Sequence, residues 1–226
     1  MDSKFVIHPN GGGLVSIHAT VDPTAYVGEF CVVYGEAKVL DYAQIRGRAR
    51  VFDRALVMEL AIVEDDAKVC GSGIVRHYAR LSGNSVVSGS AVVSRNASLL
   101  HQAHVTNLAD VSGNAIVRDS CVVSQTAKVS EESVISGQAM ISGSSCIGGQ
   151  AHVTDFAEVC ENAKVDGESV ISQFANIAGE AIVRDAQVKG ESIVQGTTVV
   201  LKSVICGTMV LSCGLYDVVD FEQRAD

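Results

Sequence analysis

The sequence predicts an all-β chain wound as a solenoid of triangular coils, about 18 residues to a coil. Three observations predict it. Every sixth residue from Val21 to Val183 is Val, Ile or Leu, at all 28 positions. Two residues before each of them sits Ala, Ser, Gly or Cys, from Ala19 to Ala181. Two residues after it, Gly or Asp recurs, as at Gly35, Asp41, Gly47, Asp53, Gly83 and Asp119. A short period kept without insertion is the mark of a stacked repeat.

Each part of the unit has a physical role. The small and aliphatic residues are two apart, so both face one side of a short strand. Gly and Asp tolerate the backbone conformation of a sharp corner. A strand and a corner every six residues, always bending inward, close after three units. Stacked coils then hydrogen-bond as parallel strands about 4.8 Å apart. A helical reading fails, because no stretch carries apolar residues at i, i+3, i+4 and i+7. The Val and Ile bias also favours strands.

Along the chain, residues 1–18 lack the repeat. Phe5-Val6-Ile7 and Gly11-Gly12-Gly13 predict a strand and a loop, forming an N-terminal cap over the first coil. The repeat occupies 19–213. After Val183 its register slips by one, resuming as Ala186/Val188, Ser192/Val194 and Thr198/Val200, with Ser203/Ile205 as one continuation. Residues 214–226 carry Asp217, Asp220, Glu222 and Asp226 and read as a polar cover or tail. The unbroken register is expected of one domain overall.

Val27-Gly28-Glu29-Phe30-Cys31-Val32 and Ile147-Gly148-Gly149-Gln150-Ala151-His152 fit the consensus of a known repeat. The pattern resembles the hexapeptide repeat of the left-handed parallel β-helix superfamily, in which acyltransferases and γ-class carbonic anhydrases are prominent. The left hand is implied by that resemblance alone, since parallel crossovers are otherwise overwhelmingly right-handed. The near absence of interruptions resembles the YdcK-like bacterial hexapeptide proteins. A right-handed three-sided helix of the bactofilin kind is the alternative architecture.

Composition narrows the function classes. Net charge is −9, there is no Trp, and no basic cluster stands out, so no nucleic-acid partner is expected. Hydrophobic residues make up 47% of the chain, yet no run reaches the length of a membrane span. Seven cysteines lack metal-ligand spacing and are expected to be reduced thiols in a cytoplasm. No metal site or bound cofactor is expected. Phosphate-binding glycine loops, nucleophile elbows and paired catalytic carboxylates are missing.

The outward positions hold the remaining information. Leu40, Leu56, Met58, Ile74 and Val92 should share one face, Ile116, Val134 and Val170 a second, and Val86, Val122 and Met140 a third. Stacked exposed aliphatics suggest interfaces between copies. The superfamily resemblance implies a homotrimer with parallel axes; a dimer would use the same patches. Two functions follow. One is a non-catalytic, self-associating scaffold or binding module, favoured because no loop leaves the coil between Val21 and Val183. The other, implied by the resemblance, is a transferase using acyl-CoA or acetyl-CoA as co-substrate, with its site between subunits and a histidine as general base. For that role the candidates are His101, with Asp119 one coil later at the same corner to orient its imidazole, and His104 on the adjoining side.

Overall fold

The computed structural model describes residues 4–221. All of its regular structure is β-strand, joined by tight corners, and no helix occurs among the described residues. Two compact units follow one another, Met1–Gly113 and Asn114–Asp226. Each is a three-sided solenoid whose strands pair in parallel with those one coil away.

In the first unit, one face stacks Leu14–Ser16, Val32–Val33, Arg50–Val51, Lys68–Val69, Val86–Val87 and His104–Val105. A second stacks Thr20–Val21, Lys38–Val39, Leu56–Val57, Ile74–Val75, Val92–Val93 and Asp110–Val111. The third stacks Tyr26–Val27, Gln44–Ile45, Ile62–Val63, Arg80–Leu81 and Ser98–Leu99. Partners are 18 residues apart, as in Ile74↔Val92 and Ile62↔Arg80. That offset is three six-residue units, the triangular coil the sequence predicts. The second unit repeats the plan, with Val134↔His152, Val122↔Met140 and Lys128↔Cys146 on its three faces.

The core follows from the two-residue spacing. From Val27 to Val183 every sixth-residue aliphatic is at most 1% exposed. Val21, in the coil that starts the series, is half-buried. The small slot two residues earlier is buried too, because at that point the chain turns inward and adjoining faces crowd together. Serine is tolerated there when its hydroxyl is satisfied. Ser133, Ser145 and Ser169 donate to the carbonyls three residues earlier at 2.7, 2.7 and 2.6 Å. The exception is Ser85, whose buried hydroxyl has no partner.

The corners carry a feature beyond glycine. From Gly35 to Asp185 the residue two after the aliphatic adopts positive φ, including Glu59 (63°), Arg95 (61°), Gln125 (59°) and Glu161 (58°). For a non-glycine residue this conformation costs energy. An ordered hydrogen bond offsets it: the side chain accepts from the corner N–H of the next coil. Asp65 accepts from Gly83 at 2.9 Å, Gln125 from Gly143 at 2.9 Å, Asp155 from Gln173 at 3.0 Å and Glu161 from Gly179 at 2.7 Å. The Asp, Glu and Gln bias at corners is therefore an acceptor requirement rather than a charge requirement. Glu161→Gln should leave stability unchanged, whereas Glu161→Ala should cost about 1 kcal/mol. Hydrogen exchange at the Gly179 amide checks it, with faster exchange expected only in the alanine variant.

The ends differ from the middle. Phe5–Ile7 pairs antiparallel with Leu14–Ser16, and the hairpin loop lies directly on the first coil. Gly13 donates to the Val27 carbonyl at 2.9 Å, and Val27 donates to the Asn10 carbonyl at 3.0 Å. A Cβ on Gly13 would stand 2.4 Å from the Gly28 carbonyl oxygen, so only glycine fits there. Toward the other end the coils tighten. Ile171 pairs with Val188 and Val183 with Val200, an offset of 17; Val200 pairs with Tyr216, an offset of 16. Two of the losses fall at corners where Asp185 (φ 53°) and Lys202 (φ 45°) are followed directly by the small inward residues Ala186 and Ser203, and the offset of 16 includes a further loss between Leu211 and Tyr216. The residue dropped is the exposed one, so the aliphatic interior keeps its register. Leu215–Asp217 and Asp220–Phe221 add two further parallel strands.

Candidate functional site

His101 and His104 belong to the first unit and Asp119 to the second. His101 occupies a corner with φ 58° and is exposed. Its carbonyl accepts from the Asn84 N–H at 2.6 Å, which is the ordinary coil-to-coil bond. His104 stands outward on its strand, exposed, in register with Val86. Asp119 has φ 63°, and its carboxylate accepts from the Gly137 N–H at 3.1 Å. The Arg118 guanidinium approaches the same carboxylate at 3.9 Å. Asp119 thus serves in its own unit as a corner acceptor, the role that Asp65 and Asp155 play elsewhere.

Two concave surfaces of the first unit lie beside its N-terminal hairpin. A cavity of about 760 Å³ is bordered by Asn10, Tyr26, Phe30, Tyr42, Gln44 and Arg46. A second, of about 620 Å³, lies across Glu29-Phe30 and is bordered by Phe5, Tyr34, Arg48 and Arg50. Both are open troughs beside the N-terminal hairpin. Arg46 is tied to Gln44 and Arg48 to Asp66, the latter at 2.8 Å. Tyr34 and Phe52, one coil apart, stack with centroids 4.9 Å apart. Burial raises the Tyr34 hydroxyl above its ordinary value, with nearby Asp53 adding to the shift and Arg50 opposing it. Sequence reasoning passes over this grouping, although Tyr34/Phe52 already stand at the coil spacing. The same spacing announces the exposed stack of Phe156 on Phe174 in the second unit, at 5.1 Å.

The cysteines supply no reactive centre in the core. None of the seven is in a disulfide. Cys121 fills a small inward slot, and burial pushes its thiol up to about 11. Cys31, in the same kind of slot, is raised for the same reason. Among the described residues, no group of three or more His, Cys, Asp or Glu is placed to hold a metal ion. No helix among them is long and apolar enough to cross a membrane.

The outward aliphatics form the more extended feature. Leu56, Ile74 and Val92 stack without interruption on the second face of the first unit. Leu40 and Met58 adjoin them at the corner, and all five are half-buried. In the second unit the stack Ile116–Val134 is broken by His152 before Val170.

No protein-family model and no curated protein matches the chain. Among solved structures the chain is similar to the UDP-N-acetylglucosamine acyltransferase of Francisella novicida, at 13% identity and a TM-score of 0.29. The match covers 80% of this chain and 64% of that one, so the chain spans less than two thirds of the enzyme's length.

Proposed function

We propose that the protein is a self-associating scaffold or binding module of the hexapeptide-repeat, left-handed β-helix type. The observation that carries this reading is the uninterrupted aliphatic stack Leu56–Ile74–Val92 on a flat sheet face. Adjacent aliphatics left on a solvent face are buried together when two copies meet on them. Regularity points the same way. Between Val21 and Val183, within each unit, corner follows strand with no inserted loop. A catalytic site needs concave walls that exclude water and hold groups in place. His101 and His104 are both exposed.

Sedimentation equilibrium and calorimetric titration test the reading together. A homo-oligomer is expected, with no heat on adding CoA or acetyl-CoA up to millimolar concentration. Micromolar binding that disappears in His101→Ala or His104→Ala would replace it with an acyl-CoA-dependent transferase acting between subunits.

A further inference from the structure

One corner of the first unit differs from the other two. Its positive-φ column runs Asp41, Glu59, His77, Arg95, one residue per coil, and reaches its first glycine only at Gly113. The other columns are Gly35, Asp53, Gly71, Gly89, Asn107 and Gly47, Asp65, Gly83, His101. Capping explains part of the difference. The Asp41 carboxylate accepts from the Glu59 N–H at 3.1 Å, and the His77 Nδ1 accepts from the Arg95 N–H at 3.3 Å. It does not explain Arg95, because a guanidinium has no acceptor to offer. Along this corner two carboxylates thus give way to a guanidinium over four coils, with His77 between them, its Nε2 3.7 Å from the Glu59 carboxylate of the same chain.

Beside that column runs another, one residue later in each coil. It holds Tyr42, Leu60 and Tyr78, exposed by 62%, 43% and 65%. Three large apolar side chains stacked at a convex edge continue the aliphatic face around the corner, through Met58 to Leu60. The surface is thus an apolar strip with a charge gradient along it.

We propose that this corner is where two copies of the chain meet, running in opposite directions about a two-fold axis. The axis passes between the coil of Glu59 and the coil of His77. That placement sets Asp41 opposite Arg95 of the second copy, Glu59 opposite His77, and Leu60 opposite Tyr78. An isologous contact requires such self-complementarity. A parallel arrangement would instead set Asp41 beside Asp41 and Arg95 beside Arg95, and like charges in register repel. The inference rests on the self-association reading and adds to it the edge, the direction and the copy number.

Charge exchange tests it. Arg95→Asp places Asp41 of one copy against an aspartate of the other; Asp41→Arg places two arginines together. Each single variant should weaken association at least about tenfold, and the double variant Asp41→Arg/Arg95→Asp should return to within about threefold of the parent. Because Asp41→Arg also removes a corner acceptor, Asp41→Asn is included. It keeps the acceptor, should retain the parent's melting temperature, and should still weaken association. Association unchanged in all single variants, or lost in the singles and not recovered in the double, overturns the proposed pairing. In the first case an oligomer that persists leaves the scaffold reading standing. A parent chain that sediments as a monomer defeats both.

Discussion

Ile135→Ala should lower the unfolding free energy by about 2–5 kcal/mol, near the upper end of that range. Ile135 is fully buried in the second unit, stacked between Val117 and Val153 of the coils on either side. Truncation removes its transfer free energy and leaves a cavity. How much the cavity costs depends on how far its walls can collapse. Here they have little room to move. The neighbouring coils are held at fixed spacing by backbone bonds such as Arg118 N–H to Ile135 O and Val134 N–H to Ala151 O, both 2.9 Å. The adjacent Val134, turned outward and half-buried, is the control. Val134→Ala should cost no more than about 0.5 kcal/mol. Urea denaturation followed by circular dichroism gives both values. Equal losses would mean that the inward and outward positions are not distinct.

Ile74→Asp should convert the oligomer to a monomer without unfolding the chain. Ile74 points away from the core, between Leu56 and Val92. Its removal leaves the interior untouched, and an exposed aspartate is harmless on a monomer. In an interface the same carboxylate is desolvated without a partner, at a cost of about 3–5 kcal/mol. That corresponds to a loss of affinity of roughly 10² to 4 × 10³-fold. Val134→Asp, on the interrupted stack of the second unit, should leave the assembly intact. Sedimentation velocity separates the outcomes. Dissociation by Val134→Asp alone would move the interface to the second unit, and an unaffected oligomer in both would remove the apolar faces from consideration.

The position of the candidate histidines shows how far a periodic sequence can be read. A coil length of 18 places Val86 and His104 side by side, and the structure has them in register. The same arithmetic gives His152 between Val134 and Val170. It does not give function. The sequence pattern singles out Asp119 as a charge that could orient an imidazole. In the structure its carboxylate also accepts from the Gly137 N–H, the bond that Asp65 makes to Gly83. That role is invisible in the sequence because it joins a side chain to a backbone group one coil away. It emerges only when Asp65/Gly83, Gln125/Gly143 and Glu161/Gly179 are seen to share one geometry.

The sequence by itself determined the three-sided coil, its inward residues and the shortened register after Val183. Local rules suffice there: side chains two apart share a strand face, and a repeated corner leaves a single way to keep every aliphatic inside. Tertiary structure decided which outward residues become neighbours across a corner. Tyr42, Leu60 and Tyr78 form one edge, and Asp41 to Arg95 one gradient, only once the coils are stacked. Outward positions carry no burial constraint to fix their pattern, so their meaning resides in contacts between coils and not in the six-residue period.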